Sequence, residues 1–351
     1  MLQIIPYTQS IQWNQIVHSF FNFDVYYLNE YALSIMIHEG GEPFLIYYED
    51  ETCRVCYVMM KNDIAEAGAF SSFLPPKTFF DSQTPYGYGG PLVEGIYTET
   101  TERHFFLQLQ SYCKKEGIVS QFLRFHPLYQ NQKYFESVCD MQNIKDTIFM
   151  DISSPETIWK NMDTKNRNMI RKARKNGVSI SYDQGVFLDE FLDIYYQTMT
   201  KRQALDYYYF GREYFEYLIQ NFSDNTIFFY SHFEGKIIGA SIFLFCDNFL
   251  HYHLSGTLSA YRHTASTNLL LYEAAEWGYR QGIKAFHLGG GVDAGDSLFK
   301  FKKQFHKTGQ LPFYIGRIIF DDQKYKHLLR LRKQHDPTFD TNNTRLIQYR
   351  K

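Results

Sequence analysis

Twice along this chain a long helical pattern closes with a basic residue, Glu or Gln, and Gly-Ile, and then runs into a strand. The two closures are Cys113-Lys-Lys-Glu-Gly-Ile118 and Trp277-Gly-Tyr-Arg-Gln-Gly-Ile283. Each follows a series of strand runs, so one supersecondary unit occurs twice, the mark of duplication. This predicts two similar α/β units meeting near residue 150, over 1–150 and 151–312. In the first, Leu33–His38, Pro43–Tyr48 and Arg54–Met60 have strand character, with a Gly40-Gly41 turn. A Pro- and Gly-rich loop through Tyr86-Gly-Tyr-Gly-Gly-Pro-Leu92 precedes a helix over Thr98–Glu116, whose Phe105, Phe106, Leu109 and Tyr112 fall at helical spacing. Val119–Phe125 is the strand after it.

In the second series, Ser154-Pro155-Glu156 starts a helix, with Pro in the first turn. Trp159, Met162, Met169, Ile170 and Ala173 continue the apolar pattern until Gly177. Val178–Tyr182 is a short strand, and Leu188–Arg202 and Arg212–Asn221 are helices. Thr226–His232, Lys236–Cys246 and Phe249–Ser255 form a meander through tight turns. A helix over Ser266–Arg280 and a strand over Lys284–Leu288 close the unit.

Composition narrows the function. The chain has 351 residues, 44% of them hydrophobic, with 36 Lys+Arg against 38 Asp+Glu. That balance suits a buried core and leaves no global field for nucleic acid or anionic lipid. Any anion site is local. Phe, Tyr and Trp make up 18% of the residues, and the 29 tyrosines suit a long cleft with polar tips. The start, Met1-Leu-Gln-Ile-Ile-Pro-Tyr7, carries no secretory pattern, and the longest apolar stretch, Ile237–Phe245, is too short to cross a bilayer. Five scattered cysteines do not form a disulfide framework. These features predict a cytoplasmic protein.

Three segments carry chemistry. Lys160–Lys175 holds seven basic residues against one acid, Asp163. Lys160, Thr164, Arg167, Arg171 and Arg174 or Lys175 repeat every three to four residues opposite the apolar face, either as a solvated surface or as a strip for phosphates. His287-Leu-Gly-Gly-Gly-Val-Asp-Ala-Gly-Asp296 follows a strand, and Gly289, Gly290 and Gly291 let backbone approach a ligand closely. Its acids Asp293 and Asp296 would repel a pyrophosphate, so it is a substrate-lining loop rather than a dinucleotide fingerprint. Leu298-Phe-Lys-Phe-Lys-Lys-Gln-Phe305 then places Lys300 or Lys302 beside that loop, aimed at developing negative charge. Cys53 and Cys56 lack a second ligand pair, and His251 and His253 lack a third ligand, so no metal site is expected.

Tyr86–Leu92, Arg124-Phe-His-Pro-Leu128, Lys165–Gly177, His253-Leu-Ser-Gly256, His287–Gly291 and Leu298–Phe305 together resemble the FemABX family, the peptidoglycan-bridge aminoacyltransferases. The resemblance implies an α/β (α+β) fold of two tandem GNAT-like domains with mixed, mostly antiparallel sheets. It also implies that residues 313–351 pack back on the first domain, with Phe313–Phe320 as a strand. Phe301 and Lys302 fall on the family's Phe-Lys pair at the transfer centre, where a fixed cation can contribute about 3 to 4 kcal/mol at the oxyanion. His287, Asp293 or His253 is the base. Lys165, Arg167, Arg171, Tyr86, Tyr88, His126, His253 and Gly289–Gly291 line the substrates. No tightly bound cofactor is implied.

The implied donor is an aminoacyl-tRNA or an acyl-CoA. The implied acceptor is an amine of a cell-wall or polysaccharide precursor, reached in the cytoplasm or at the inner face of the membrane through peripheral contact. Two departures qualify this. The family's helical coiled-coil insertion is absent, as is the Trp- and Lys-bearing start of cross-bridge enzymes. Where CoA-dependent GNAT enzymes carry Arg-x-x-Gly-x-Gly, this chain has Tyr261-Arg-His-Thr-Ala-Ser266. The alternatives are an acyl-CoA-dependent N-acyltransferase acting on an amino sugar, and a non-catalytic glycan or nucleotide-sugar binding protein.

Overall fold

Gly40 and Gly41 both take positive φ, 72° and 76°, as do Glu234 and Gly235, so two of the expected turns are built from left-handed backbone. The computed structural model describes residues 1–350. It divides into two units, one of Met1–Ile144 with the stretch from Phe313 onward, the other of Lys145–Pro312.

In chain order the elements of the first unit are β1 (Leu2–Pro6), α1 (Ser10–His18), α2 (Asn29–Glu39), β2 (Glu42–Glu49), β3 (Cys53–Asp63), β4 (Phe80–Gln83), β5 (Leu92–Gly95), α3 (Glu99–Lys115) and β6 (Ile118–Arg124). The strand β7 (Asp140–Asp151) leads into α4 (Pro155–Asn161), α5 (Thr164–Lys175), β8 (Ser179–Asp183), α6 (Leu188–Lys201) and α7 (Arg212–Asn221). Then come β9 (Thr226–Phe233), β10 (Lys236–Phe245), β11 (Phe249–Thr257), α8 (Ser266–Arg280), β12 (Ala285–Gly290) and α9 (Ser297–Lys303). Finally β13 (Gln310–Ile319) and α10 (Asp322–His335) return to the first unit.

The strands of the two units follow one topology. In the first unit the order is β1-β2-β3-β4-β6-β13, with β5 paired to β3. In the second it is β8-β9-β10-β11-β12-β7. Four antiparallel strands lead through one helix, α3 or α8, to a fifth strand that runs parallel to the fourth. A sixth, antiparallel strand completes each unit's set of strands. That strand is not the next one in the chain. β7 follows β6 but its end joins β12, and β13 follows β12 but its end joins β6.

Local chemistry accounts for the crossover helices. The Thr98 hydroxyl accepts from the Thr101 N–H at 3.1 Å and so caps α3. Glu99 and Glu102 lie in its first turn and Lys114 and Lys115 in its last, matching the helix dipole. α8 buries Leu269, Leu270, Leu271, Ala274, Ala275 and Trp277 in the second unit's core, with Phe229, Phe243, Phe286 and Phe305. The first unit has a cluster of Phe70, Leu74, Val119, Tyr325, Leu328 and Tyr349, so residues after Phe313 help fill it.

Two expectations need correction. Leu33–His38 is not a strand but the second half of α2, where Tyr31, Ala32, Ser34 and Ile35 turn inward. Six residues of apolar character do not separate strand from helix by period alone. The pattern over Trp159–Ala173 is not one helix either. Met162 and Asp163 are extended (ψ 148° and 147°), and the Asp163 N–H donates to the Gln304 carbonyl at 2.8 Å. A tertiary bond interrupts a continuous apolar pattern there.

Candidate active site

In the second unit β11 and β12 pair in parallel over only three positions, ending at His251↔His287. β11 then bulges at His253, where the register jumps from Phe243↔Tyr252 to Ile242↔Leu254, and stays with β10 as far as Thr257. β12 continues against β7, through Gly289↔Ile148 and Gly290↔Thr147. The two strands therefore part beyond the histidines. A bulge at such a place re-aims side chains and ends pairing.

The loop leaving β12 is held by its own carboxylate. Asp296 accepts from the N–H groups of Phe299 at 2.7 Å, Val292 at 2.8 Å and Asp293 at 3.3 Å, capping α9 and closing the loop at once. Burial works against the ionised Asp296, but these N–H groups prevail and hold it below the ordinary carboxylate value. Gly289 has φ 72°, and a Cβ on Gly291 would stand 2.1 Å from the Asp296 carboxylate. The glycines are required by this closure.

α9 is short, and it turns Lys302 inward to 7% exposure while Lys300 and Lys303 stay exposed. The Lys302 ammonium donates to the Gly290 carbonyl at 2.7 Å and lies 5.6 Å from the centre of the Tyr252 ring. Phe301 packs on the core and against Phe305, anchoring the turn that carries Lys302. Burial first, then the charges of Lys145 and Arg202, bring the Lys302 amine down to about 7, against a pull upward from Asp296. Near neutral pH this amine is divided between its two forms.

The remaining expected residues fall in three places. His287 is buried, its ring centre 5.7 Å from that of His251. His253 shares a 2.6 Å hydrogen bond with Tyr214, and burial together with His251 lowers it to about 3, too weak a base for an amine at neutral pH. Asp293 is exposed on the loop. On α5, Arg171 lies over the Trp159 ring at 5.1 Å and Arg167 donates to the Trp159 carbonyl at 3.3 Å. Lys165 is exposed beside them. Tyr86, Tyr88 and His126 belong to the first unit. There the Tyr86 carbonyl accepts from the Tyr31 hydroxyl at 2.6 Å, and Tyr88 meets Tyr26, His126 and Phe313 edge to face. His126 pairs with Asp24 at 2.7 Å, both side chains fully buried.

Sequence reasoning missed Lys145, Arg202 and Tyr252. Lys145 donates to the Gly291 carbonyl at 2.8 Å and the Val292 carbonyl at 3.3 Å from β7, a strand absent from the sequence reading. Arg202 stood only as the last residue of a helix. Asp296 just before the Leu298–Phe305 run was a legible N-cap signal. All five cysteines are buried free thiols. No described helix is long and apolar enough to cross a membrane.

Residues 161–303 match the model of the acetyltransferase (GNAT) domain. The solved structure of FemX is similar over 93% of this chain and 99% of its own, at 12% identity and TM-score 0.68. The C-terminal domain of a putative lysylphosphatidylglycerol synthetase from Agrobacterium fabrum covers 91% of this chain and 94% of its own, at 11% identity and TM-score 0.56. A tandem GNAT protein from the clavulanic acid biosynthesis pathway covers 91% and 99%, at 8% identity and TM-score 0.50. No curated protein matches the sequence.

Proposed function

We propose, from the premise that this chain carries a GNAT acetyltransferase domain within the tandem fold of FemX, that it forms amides by transferring an acyl or aminoacyl group to an amine of a cell-envelope precursor. The observation that carries this reading is Lys302, buried on the Gly290 carbonyl where β11 and β12 part. Attack of a neutral amine on an ester or thioester carbonyl places negative charge on its oxygen. A positioned ammonium stabilises that charge, by about 3 to 4 kcal/mol for one oxyanion donor. The tetrahedral intermediate then collapses, expelling the alcohol or thiol, which takes the proton lost by the attacking amine. His287, buried beside the point where the strands part, handles that proton, since His253 is too weakly basic and Asp293 lies exposed on the loop.

For the donor we favour an aminoacyl ester over a CoA thioester. CoA-dependent GNAT enzymes seat a diphosphate on the helix start that α8 represents. Here Ser266 is only 2% exposed, and Asn268 in that first turn donates to Asn166 at 2.7 Å, so α5 packs against the start of α8 and competes with a diphosphate for it. Lys165, Arg167 and Arg171 on α5 are assigned to phosphates of the donor or of a diphosphate-linked acceptor, at the inner membrane face.

The test incubates purified protein with charged transfer RNAs or acetyl-CoA, together with amine-bearing wall and polysaccharide precursors, and reads products by mass. A new amide that wild type forms and Lys302→Ala does not is the expected result. Absence of product from every combination, or equal product from both proteins, overturns the reading.

A further inference from the structure

Gly290, Gly291 and Val292 present three successive carbonyls, and two lysines from distant elements bind them. Lys302 of α9 takes Gly290 at 2.7 Å, and Lys145 of β7 takes Gly291 at 2.8 Å and Val292 at 3.3 Å. Like charges repel, so two ammonium groups on adjacent carbonyls of one loop work against each other. The carboxylate at hand, Asp296, is already committed to the N–H groups of Val292, Asp293 and Phe299. The loop is thus pinned on its N–H side by Asp296 and on its carbonyl side by the two lysines. A Cβ on Gly290 would stand 2.8 Å from the carbonyl oxygen of Asp146, the residue after Lys145, so β7 and the loop are in close backbone contact at this point.

We propose that Lys145 is a positioning residue of the transfer site: from β7 it clamps, at the Gly291 and Val292 carbonyls, the loop that seats Lys302, and it brings a second cation up to that amine. This rests on the transferase reading for its consequence and on geometry for its existence. The groups facing Lys302 are Lys145 from β7, Arg202 beyond α6, Asp296 at the head of α9 and the Tyr252 ring from β11. Of these, Lys145 is the cation that also holds the loop. The Lys145 amine is itself lowered by burial, while Asp296 and Asp293 pull it back. One of these acids, Asp296, is the one that orders the loop.

The test reads the Lys302 amine directly. Wild type, Lys145→Gln, Lys145→Met and Lys145→Arg are pulsed with trace acetic anhydride across a pH series, and acetylation at Lys302 is quantified by peptide mass. Only the neutral amine reacts, so the midpoint reports its proton equilibrium. Removing the charge by Gln or Met should move that midpoint up by about half a pH unit or more, while Arg should leave it near wild type. In the transfer assay Gln should lower kcat/KM about tenfold, with Arg retaining most of it. An unmoved midpoint in Gln or Met overturns the proposal, and so does an equal shift in Arg. Should neither neutral variant fold, Arg alone decides: a wild-type midpoint supports the charge account and a shifted one overturns it. Labelling needs no turnover, so loss of the transferase reading, through an active Lys302→Ala enzyme, is seen separately.

Discussion

Lys302 sits in surroundings that disfavour its charge, and two pH effects follow from its being lowered to about 7. In the proposed role of oxyanion donor it would work only when protonated. That contribution to turnover would be present below pH 7 and lost as pH rises through that value. A kcat profile should fall on the alkaline side with a midpoint near 7, absent in Lys302→Arg; a rise through 7 would make the neutral amine the acting form. For stability, the unfolded chain holds this proton up to the ordinary lysine value and the folded chain does not. Between the two values the unfolded state binds more protons, so folding gains as pH rises. Lys302→Met should therefore be more stable than wild type at pH 6, by about 1 kcal/mol or more, measured by urea denaturation. Lys302→Ala should remain folded and lose a hundredfold or more in turnover, about the loss of one oxyanion donor. Lys302 was legible because its loop and helix are contiguous in sequence. Lys145 and Arg202 were not, since they reach the same amine from strands and helices far away along the chain.

At the scale of elements, the bulged strand β11 is placed by close backbone approach. A Cβ on Gly256 would stand 2.7 Å from the Ile194 carbonyl oxygen, so α6 rests directly on the strand. Gly256→Ala must push that helix away, at a cost of about 1 to 3 kcal/mol. Thermal unfolding should show a lower Tm, and an unchanged Tm would mean that the helix moves freely. Because Arg202 follows α6 directly, the same variant should also disturb the charge on Lys302. Helix patterns were largely legible here: α7 and α8 keep the bounds their periodicity suggested. The failures lie where period is ambiguous, as at α2, or where a tertiary bond breaks a pattern, as between α4 and α5.

At the scale of the whole molecule, the chain order and the sheet order differ. The first unit's sixth strand and the Tyr325, Leu328 and Tyr349 side chains of its core come from residues beyond 312. Arg350 there donates to the buried Asp81 carboxylate at 2.5 and 2.7 Å, and the Tyr349 hydroxyl donates to it at 3.1 Å. A fragment of residues 1–144 should therefore fail to fold, because it leaves β6 as an open edge and Asp81 buried without its partner. Joining 313–351 to 1–144 through a flexible linker should restore a cooperative transition by circular dichroism. A cooperative transition in the short fragment would refute this dependence.

The sequence by itself determined the repeated strand, helix and strand order, the glycine loop and the Phe301-Lys302 pair, because each depends on residues near one another along the chain. Only the tertiary structure decided which strand completes each sheet and which groups surround the Lys302 amine. Strand exchange leaves no local pattern, since β7 and β13 can pair with any open edge of the right direction. A proton equilibrium is likewise set by burial and by charges within a few ångströms, and those neighbours come from β7, α6 and β11, which only folding brings together.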